Sequence, residues 1–326
     1  MRSPFYICRN CQHKLSPITK YRTFLTNSTS SRTPSPSQPL PPNILPLRDL
    51  TPNHISYYWD TTPPTPPQLD YADKLFTPSR HSPIKLWSAA KFRTTPLSST
   101  EPEVAFLGRS NVGKSSLLNA VMGQEMCWTS SKPGRTREMN AFGIGGKKGG
   151  ESKIVLLDMP GYGKASRTEW GAEILKYLQG RKQLRRTFLL IDSEHGLKQS
   201  DRTILTLLRH NAIPHQILFS KVDKLLVKNT AKATSVPSAA SLAALQKKLK
   251  YLRPKIQPDG RTEGPGALGE LLTCSAETSI GDQRFLGIGA IRWAILSAAG
   301  LDGGVEAMAE PVLSEPEVAG PVGSVW

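Results

Sequence analysis

Gly108-Arg109-Ser110-Asn111-Val112-Gly113-Lys114-Ser115 has the spacing G-x-x-x-x-G-K-[ST] and lies between an apolar run at 104–107 and a helix-like stretch at 115–122. Glycine lets the backbone turn its N–H groups inward around an anion. The following helix points the positive end of its dipole, about half an elementary charge, at the same spot, and Lys114 adds a full charge. The segment reads as a loop that holds the phosphates of a nucleoside triphosphate. Chance alone produces such a pattern on the order of a few per cent of the time in a chain this long, so further motifs must decide against an ordinary glycine-rich turn.

Those motifs follow in order. Residues 153–157 read as a buried strand running into Asp158-Met159-Pro160-Gly161, a D-x-x-G whose acid stands where P-loop enzymes hold magnesium through water. A second strand-like run at 215–219 ends in Ser220-Lys221-Val222-Asp223. A carboxylate at the end of such a Lys-x-Asp accepts from both N1–H and the exocyclic amine of guanine, whereas adenine offers neither donor there. Two charge-assisted hydrogen bonds at about 1.5 to 3 kcal/mol each give two to four decades of preference for guanine. A third run at 271–274 delivers Ser275-Ala276, where a tight turn would present a backbone N–H to the guanine carbonyl. GTP is expected rather than ATP.

Together, Gly108 to Ser116, Lys132-Pro133-Gly134-Arg135-Thr136, and Asp158-Met159-Pro160-Gly161-Tyr162-Gly163 with Trp170 following closely resemble the EngB-type GTPases, a compact family within the translation-factor-related class of P-loop GTPases. The resemblance spans roughly residues 92–300. It implies nucleotide contacts along Gly108, Arg109, Ser110, Asn111, Val112, Gly113, Lys114, Ser115 and Ser116, then Gly134, Arg135 and Thr136, Asp158 and Gly161, Ser220, Lys221 and Asp223, and Ser275 and Ala276. It further implies that Lys114 bridges the β and γ phosphates, that Ser115, Thr136 and Asp158 serve a Mg2+ ion, and that Thr136 closes on the metal only with the γ phosphate present. Lys114, Thr136 and Asn111 are the candidate catalytic residues.

The sequence also departs from common GTPase patterns. Tyr162 stands where many GTPases place a water-orienting glutamine, so intrinsic hydrolysis is expected to be slow. In similar GTPases an asparagine at the position of Asn111 holds a potassium ion against the phosphates; the plainer reading is that Asn111 caps the loop through its own backbone. Ser220 replaces the usual Asn or Thr, and Lys164 falls where the family more often has an aromatic residue.

Outside the motifs, the first 48 residues hold seven basic side chains and no Asp or Glu, a composition that fits a mitochondrial transit peptide; the alternative is a basic tail that stays attached and binds nucleic acid. Eleven of the 27 prolines fall between positions 34 and 67, which predicts an extended linker, so residues 49–91 are read as linker and family extension. The chain's +16 formal charge is shared: residues 1–100 carry 12 basic and four acidic groups, and the rest carries 30 and 22. The runs Arg181-Lys182-Gln183-Leu184-Arg185-Arg186 and Lys247-Lys248-Leu249-Lys250 are either solvated helix faces or contacts to an RNA backbone, without flanking aromatics for base stacking. Cys8 and Cys11 make half a zinc site at most, and Cys274 reads as an apolar filler.

Alternating strand and helix patterns from residue 103 predict an α/β three-layer domain over 92–300. Its six-stranded sheet is mostly parallel, with, by resemblance, the second strand (139–144) antiparallel, and helices cover both faces. Strands are placed at 104–107, 139–144, 153–158, 187–192, 215–220 and 271–274, and helices at 115–122, 168–182, 200–211, 239–252 and 287–299. Surface insertions are expected at 227–239 and 254–269, and a disordered tail over 301–326. No apolar run reaches the eighteen or so residues that span a bilayer. The overall expectation is a monomeric GTP-binding and GTP-hydrolysing switch that assists large ribosomal subunit assembly in the mitochondrial matrix, with ribosomal RNA or a large-subunit particle as partner. The alternative is a GTP-gated binding module with little turnover that acts in organelle division or membrane organisation.

Overall fold

The structure, a computed structural model, describes residues 45–96, 99–129, 138–148, 152–162, 168–228, 231–258, 264–281 and 284–303, the side chains of 168–170 excepted. The elements in chain order are α1 (Pro52–Ile55), β1 (Tyr57–Tyr58), α2 (Pro66–Phe76), β2 (Ile84–Ala89), β3 (Glu103–Gly108), α3 (Lys114–Met122), β4 (Met139–Ile144), β5 (Ile154–Asp158), α4 (Thr168–Gly180), β6 (Leu184–Asp192), α5 (Gln199–His210), β7 (His215–Ser220), α6 (Asp223–Leu226), α7 (Ala239–Ile256), β8 (Glu270–Thr273), β9 (Ser279–Gly281), β10 (Arg284–Phe285) and α8 (Ile288–Ala299). The main sheet has the order β1-β8-β7-β6-β3-β5-β4-β2. Strands β8, β7, β6, β3 and β5 run parallel, while β4, β2 and β1 each pair antiparallel to their inner neighbour.

The central strands bury side chains on both faces, which is why they read as continuous apolar runs rather than alternating ones. On one face Ala105, Leu107, Val155, Leu157, Leu189, Ile191, Ile217 and Phe219 meet α4, α5 and α7. On the other, Val104, Phe106, Leu156, Phe188, Leu190, Leu218 and Leu272 meet α2, α3 and α8. This is a doubly wound α/β sheet, and β3, between β6 and β5, ends where the nucleotide loop begins.

The main sheet has two strands beyond the six expected, and both come from the stretch expected to be linker and family extension. β2 adds to the β4 edge and β1 to the β8 edge. Residues 49–91 are therefore part of the folded body: Leu50, Ile55, Ala72 and Phe76 are buried, as is Leu47 just before them. The prolines are compatible with this folded segment because several of them start helices. Pro52 and Pro66 occupy the first positions of α1 and α2, where a missing N–H costs nothing. The same segment reaches the 227–239 insertion, with Leu47 N–H donating to Ser235 O at 2.9 Å and Arg48 N–H to Ala233 O at 3.1 Å.

Helix α7 also runs past its expected end at Leu252, carrying Pro254 within its last turn, because Leu249, Leu252 and Ile256 continue its buried stripe. In α8, Ile288, Ile291, Ile295 and Leu296 are buried as expected. Arg292 interrupts that run without being exposed. Its Nε donates to Val121 O at 2.9 Å and Nη2 to Ala120 O at 3.1 Å, closing the C-terminus of α3, while Nη1 pairs with Asp73 at 2.7 Å. Among the described residues no helix is long and apolar enough to cross a membrane.

Candidate functional site

The turn from β3 into α3 is shaped by three backbone positions. A Cβ on Gly108 would stand 2.6 Å from Val112 Cγ1, so only glycine fits beneath the loop. Asn111 (φ 64) and Gly113 (φ 97) lie in the left-handed region, which asparagine and glycine tolerate, and together they curl the loop before Lys114 opens the helix. Asn111 is exposed at the loop's tip, and Ser115 and Ser116 are half-buried in the first turn of α3. Lys114, only 6% exposed, reaches across to the carboxylate of Asp158 at the end of β5, itself buried. The ion pair brings the candidate phosphate cation and the candidate metal carboxylate together. A hydroxyl (Ser115) and a carboxylate (Asp158) form a hard-oxygen donor set suited to Mg2+. Gly134, Arg135 and Thr136 lie outside the described residues, as do Gly163 and Lys164.

The candidate guanine corner is tied to this loop by side chains. Ser220 Oγ donates to Val112 O at 2.8 Å, so the hydroxyl of this departure from the usual Asn or Thr joins the strand end to the loop. Lys221 lies across the loop: its Nζ donates to Asn111 O at 2.9 Å and to Asp192 Oδ2 at 2.8 Å, and its Cε would be 3.7 Å from a Cβ on Gly113. The lysine itself is held at φ 60, a conformation that costs about 1–3 kcal/mol for a non-glycine residue and persists only where several contacts fix it. Burial works to raise the Asp192 carboxyl, but Lys221 and the N–H of His195 hold it well below its ordinary value.

Asp223 opens α6, half-buried, one residue past Val222, whose N–H donates to Cys274 O at 3.2 Å. That bond, with Cys274 N–H to Phe219 O at 3.0 Å, places the Ser275-Ala276 turn beside the Lys-x-Asp segment. Ser275 folds its own turn: its Oγ accepts from Glu277 N at 3.3 Å and Thr278 N at 3.2 Å. Gly287 permits the approach, since a Cβ there would stand 2.0 Å from Thr273 O and its φ is +77. Cys274 is a buried filler as read; burial, with Asp223's charge nearby, pushes its thiol up to about 12.

Gly161 and Tyr162 pack directly on the phosphate loop. A Cβ on Gly161 would stand 3.0 Å from Ser110 Oγ; Ser110 N–H donates to Tyr162 O at 3.1 Å and Tyr162 N–H to Gly108 O at 3.2 Å. The Tyr162 hydroxyl donates to Asp201 at 2.8 Å, and Arg109 Nε donates to the same oxygen at 3.2 Å. Asp192 and Asp201 lie outside the motifs and had no expected role. The signal for Asp192 was its place at the end of a predicted strand; for Asp201 it was an acid three residues after Lys198, at the start of a predicted helix, whose N–H the carboxylate accepts at 2.9 Å.

The two basic runs separate. Arg181 is fully buried against Glu103 at 2.6 Å, and Arg186 donates to Gln216 Oε1 at 2.9 Å, which leaves Lys182 and Arg185 exposed. In α7, Lys248 is drawn in to Ser193 O while Lys247 and Lys250 stay exposed. An aromatic does flank this run, contrary to the expectation: Tyr251 is 63% exposed, with Lys255 Nζ 3.6 Å from its ring centroid.

The family described as 50S ribosome-binding GTPase matches residues 103–221. The "Probable GTP-binding protein EngB" of Bartonella quintana (strain Toulouse) is 40% identical over 206 residues, covering 60% of this chain and 84% of the relative. The protein of the same name from Rhizobium etli (strain CIAT 652) is 40% identical over 186 residues, covering 54% and 82%. Among solved structures, a probable GTP-binding protein engB aligns with a TM-score of 0.37 at 19% identity over 61% of this chain and 98% of that one. Aquifex aeolicus Era bound to GDP.AlF4- aligns at 0.38 and 22% over 63% and 55%.

Proposed function

The chain belongs to the EngB family of GTP-binding proteins, and from that premise we propose that it is a Mg2+-dependent GTPase switch assisting assembly of the large ribosomal subunit in mitochondria. One observation carries the nucleotide half: Ser220 and Lys221 bond the main chain of the phosphate loop while Val222 bonds Cys274, so the anion cradle and the purine corner form one connected site. The ribosomal half is supported by the family description, and the mitochondrial half by the acid-free, basic first 48 residues.

In this reading Lys114 exchanges the Asp158 carboxylate for β and γ phosphate oxygens when GTP enters. Ser115 and Asp158, with Thr136, would hold Mg2+, which would supply positive charge against the phosphate oxygens. Asp223 accepts from the guanine edge, Lys221 covers the loop, and the Ser275-Ala276 turn faces the base carbonyl. Gly134, Arg135 and Thr136 are the residues assigned to sensing the γ phosphate. The Tyr162 hydroxyl is engaged by Asp201, so it does not orient a water molecule as glutamine does, and unassisted turnover is slow. Asn111 at the loop's tip is the candidate holder of a stimulating K+ ion.

The test is sedimentation of mitochondrial lysate with a non-hydrolysable GTP analogue. The chain is expected to travel with large-subunit particles and to shift to light fractions with GDP. Failure to travel with them in either state overturns the ribosomal reading. Equal GTP turnover in potassium and sodium rejects the role of Asn111 without touching the rest.

A further inference from the structure

Asp201 touches neither the phosphate cradle's main chain nor the guanine corner, yet it joins three parts of the molecule. It sits in the first turn of α5 with its side chain fully buried. Oδ2 accepts the Lys198 N–H at 2.9 Å; Oδ1 accepts the Tyr162 hydroxyl at 2.8 Å and Arg109 Nε at 3.2 Å. Arg109 is the second residue of the phosphate loop, and Tyr162 is the first residue past Gly161. Their main chains are also paired, so Arg109 and Tyr162 are held together at backbone and side chain at once.

A buried carboxylate is tolerated only when charged and hydrogen-bonding partners surround it, and removing one partner leaves charge uncompensated. The arrangement therefore resists partial loosening. Burial beside Asp201 pushes the Tyr162 hydroxyl up, which keeps it protonated and donating. The D-x-x-G segment and the phosphate loop are thus fixed to each other by a group on a third element.

We infer that Asp201 is a positioning residue for GTP hydrolysis: through Arg109 and Tyr162 it sets the separation between the phosphate loop and the Asp158–Tyr162 segment. The inference rests on this site turning over GTP. Displacement of catalytic groups by about 1 Å costs up to 10²-fold in rate, whereas the contacts proposed for Lys114, Lys221 and Asp223 do not pass through Asp201. Its loss is therefore read in kcat more than in GDP affinity.

The experiment uses the full chain with Asp201→Asn, which keeps shape and one acceptor oxygen but loses charge, with Tyr162→Phe, which keeps the Asp201–Arg109 pair, and with both. Expected are a kcat for GTP reduced about tenfold or more in D201N and about fivefold in Y162F, KM and GDP Kd within about threefold of the parent, and a double variant no slower than D201N. Unchanged kcat in Y162F, GDP affinity falling in step with kcat, or additive losses would each overturn the assignment. Should D201N fail to fold, Y162F alone decides. A parent chain with no turnover sinks the GTPase reading instead. With no hydrolysis to position for, the inference falls with that reading, whereas a parent that turns over GTP and an unchanged kcat in Y162F reject the inference alone.

Discussion

In the proposed function Asp223 is the residue that selects the base, and its chemistry predicts the largest single-residue effect in the site. Replacing it with Asn removes the charge from both hydrogen bonds to the guanine edge, each worth about 1.5–3 kcal/mol. Asp223→Asn is expected to lower GDP affinity by two to four decades while leaving the weak ADP affinity unchanged, measured by fluorescent-nucleotide competition. A guanine preference that survives the change would remove Asp223 from the reading. A second residue sets a pH response. Burial pushes His215 below its ordinary 6.5, with Arg209's charge adding to the shift and the Ile213 carbonyl opposing it. The unfolded chain then binds the proton more readily, so this contribution is intact above pH 6.5 and is lost as pH falls through the lower folded value. His215→Gln is expected to lose less stability than the parent between pH 7.5 and pH 5.5, read from urea midpoints; parallel losses would contradict it.

At the scale of elements, the connection from β8 into α8 shows how far backbone geometry governs the site. Gly287 is at φ +77 with no room for a Cβ against Thr273 O. Gly287→Ala is expected to cost on the order of 2 kcal/mol or more and to weaken GDP binding by displacing the Ser275-Ala276 turn. Thermal melting and nucleotide titration check both effects, and a variant with parental GDP affinity would separate that turn from the purine. The elements themselves were legible where apolar runs were long. Strands β4 and β7 fall on their predicted residues, and the other central strands shift by one to three positions at an end. Helix α7 runs beyond the 239–252 expected for it because a proline in the last turn is outweighed by the buried stripe to Ile256.

For the whole molecule, the boundary at residue 92 has a measurable consequence. A chain starting there lacks β1, β2 and α2 and loses Leu47, Leu50, Ile55 and Phe76 from the core. At about 1.5–3 kcal/mol for each large side chain, the loss rivals the 5–15 kcal/mol that holds a typical domain together. Expression of residues 92–326 is expected to give aggregated or unfolded protein by circular dichroism, while residues 45–326 fold. A soluble, cooperatively melting 92–326 would show that the edge strands are dispensable.

The phosphate loop, the D-x-x-G acid and the Lys-x-Asp segment were determined by the sequence alone, because local backbone geometry and contact chemistry demand particular residues at fixed spacing. So was the order of the central strands and helices, since burial on two faces leaves continuous apolar runs. Only the tertiary structure decided that Asp201 clasps Arg109 to Tyr162 across 92 and 39 residues of chain, that Asp192 grips Lys221, and that Arg181 and Arg186 turn inward rather than toward a partner. Those are contacts between side chains distant in sequence. A lone charged residue carries no local mark of what it will meet once the sheet brings its neighbours together.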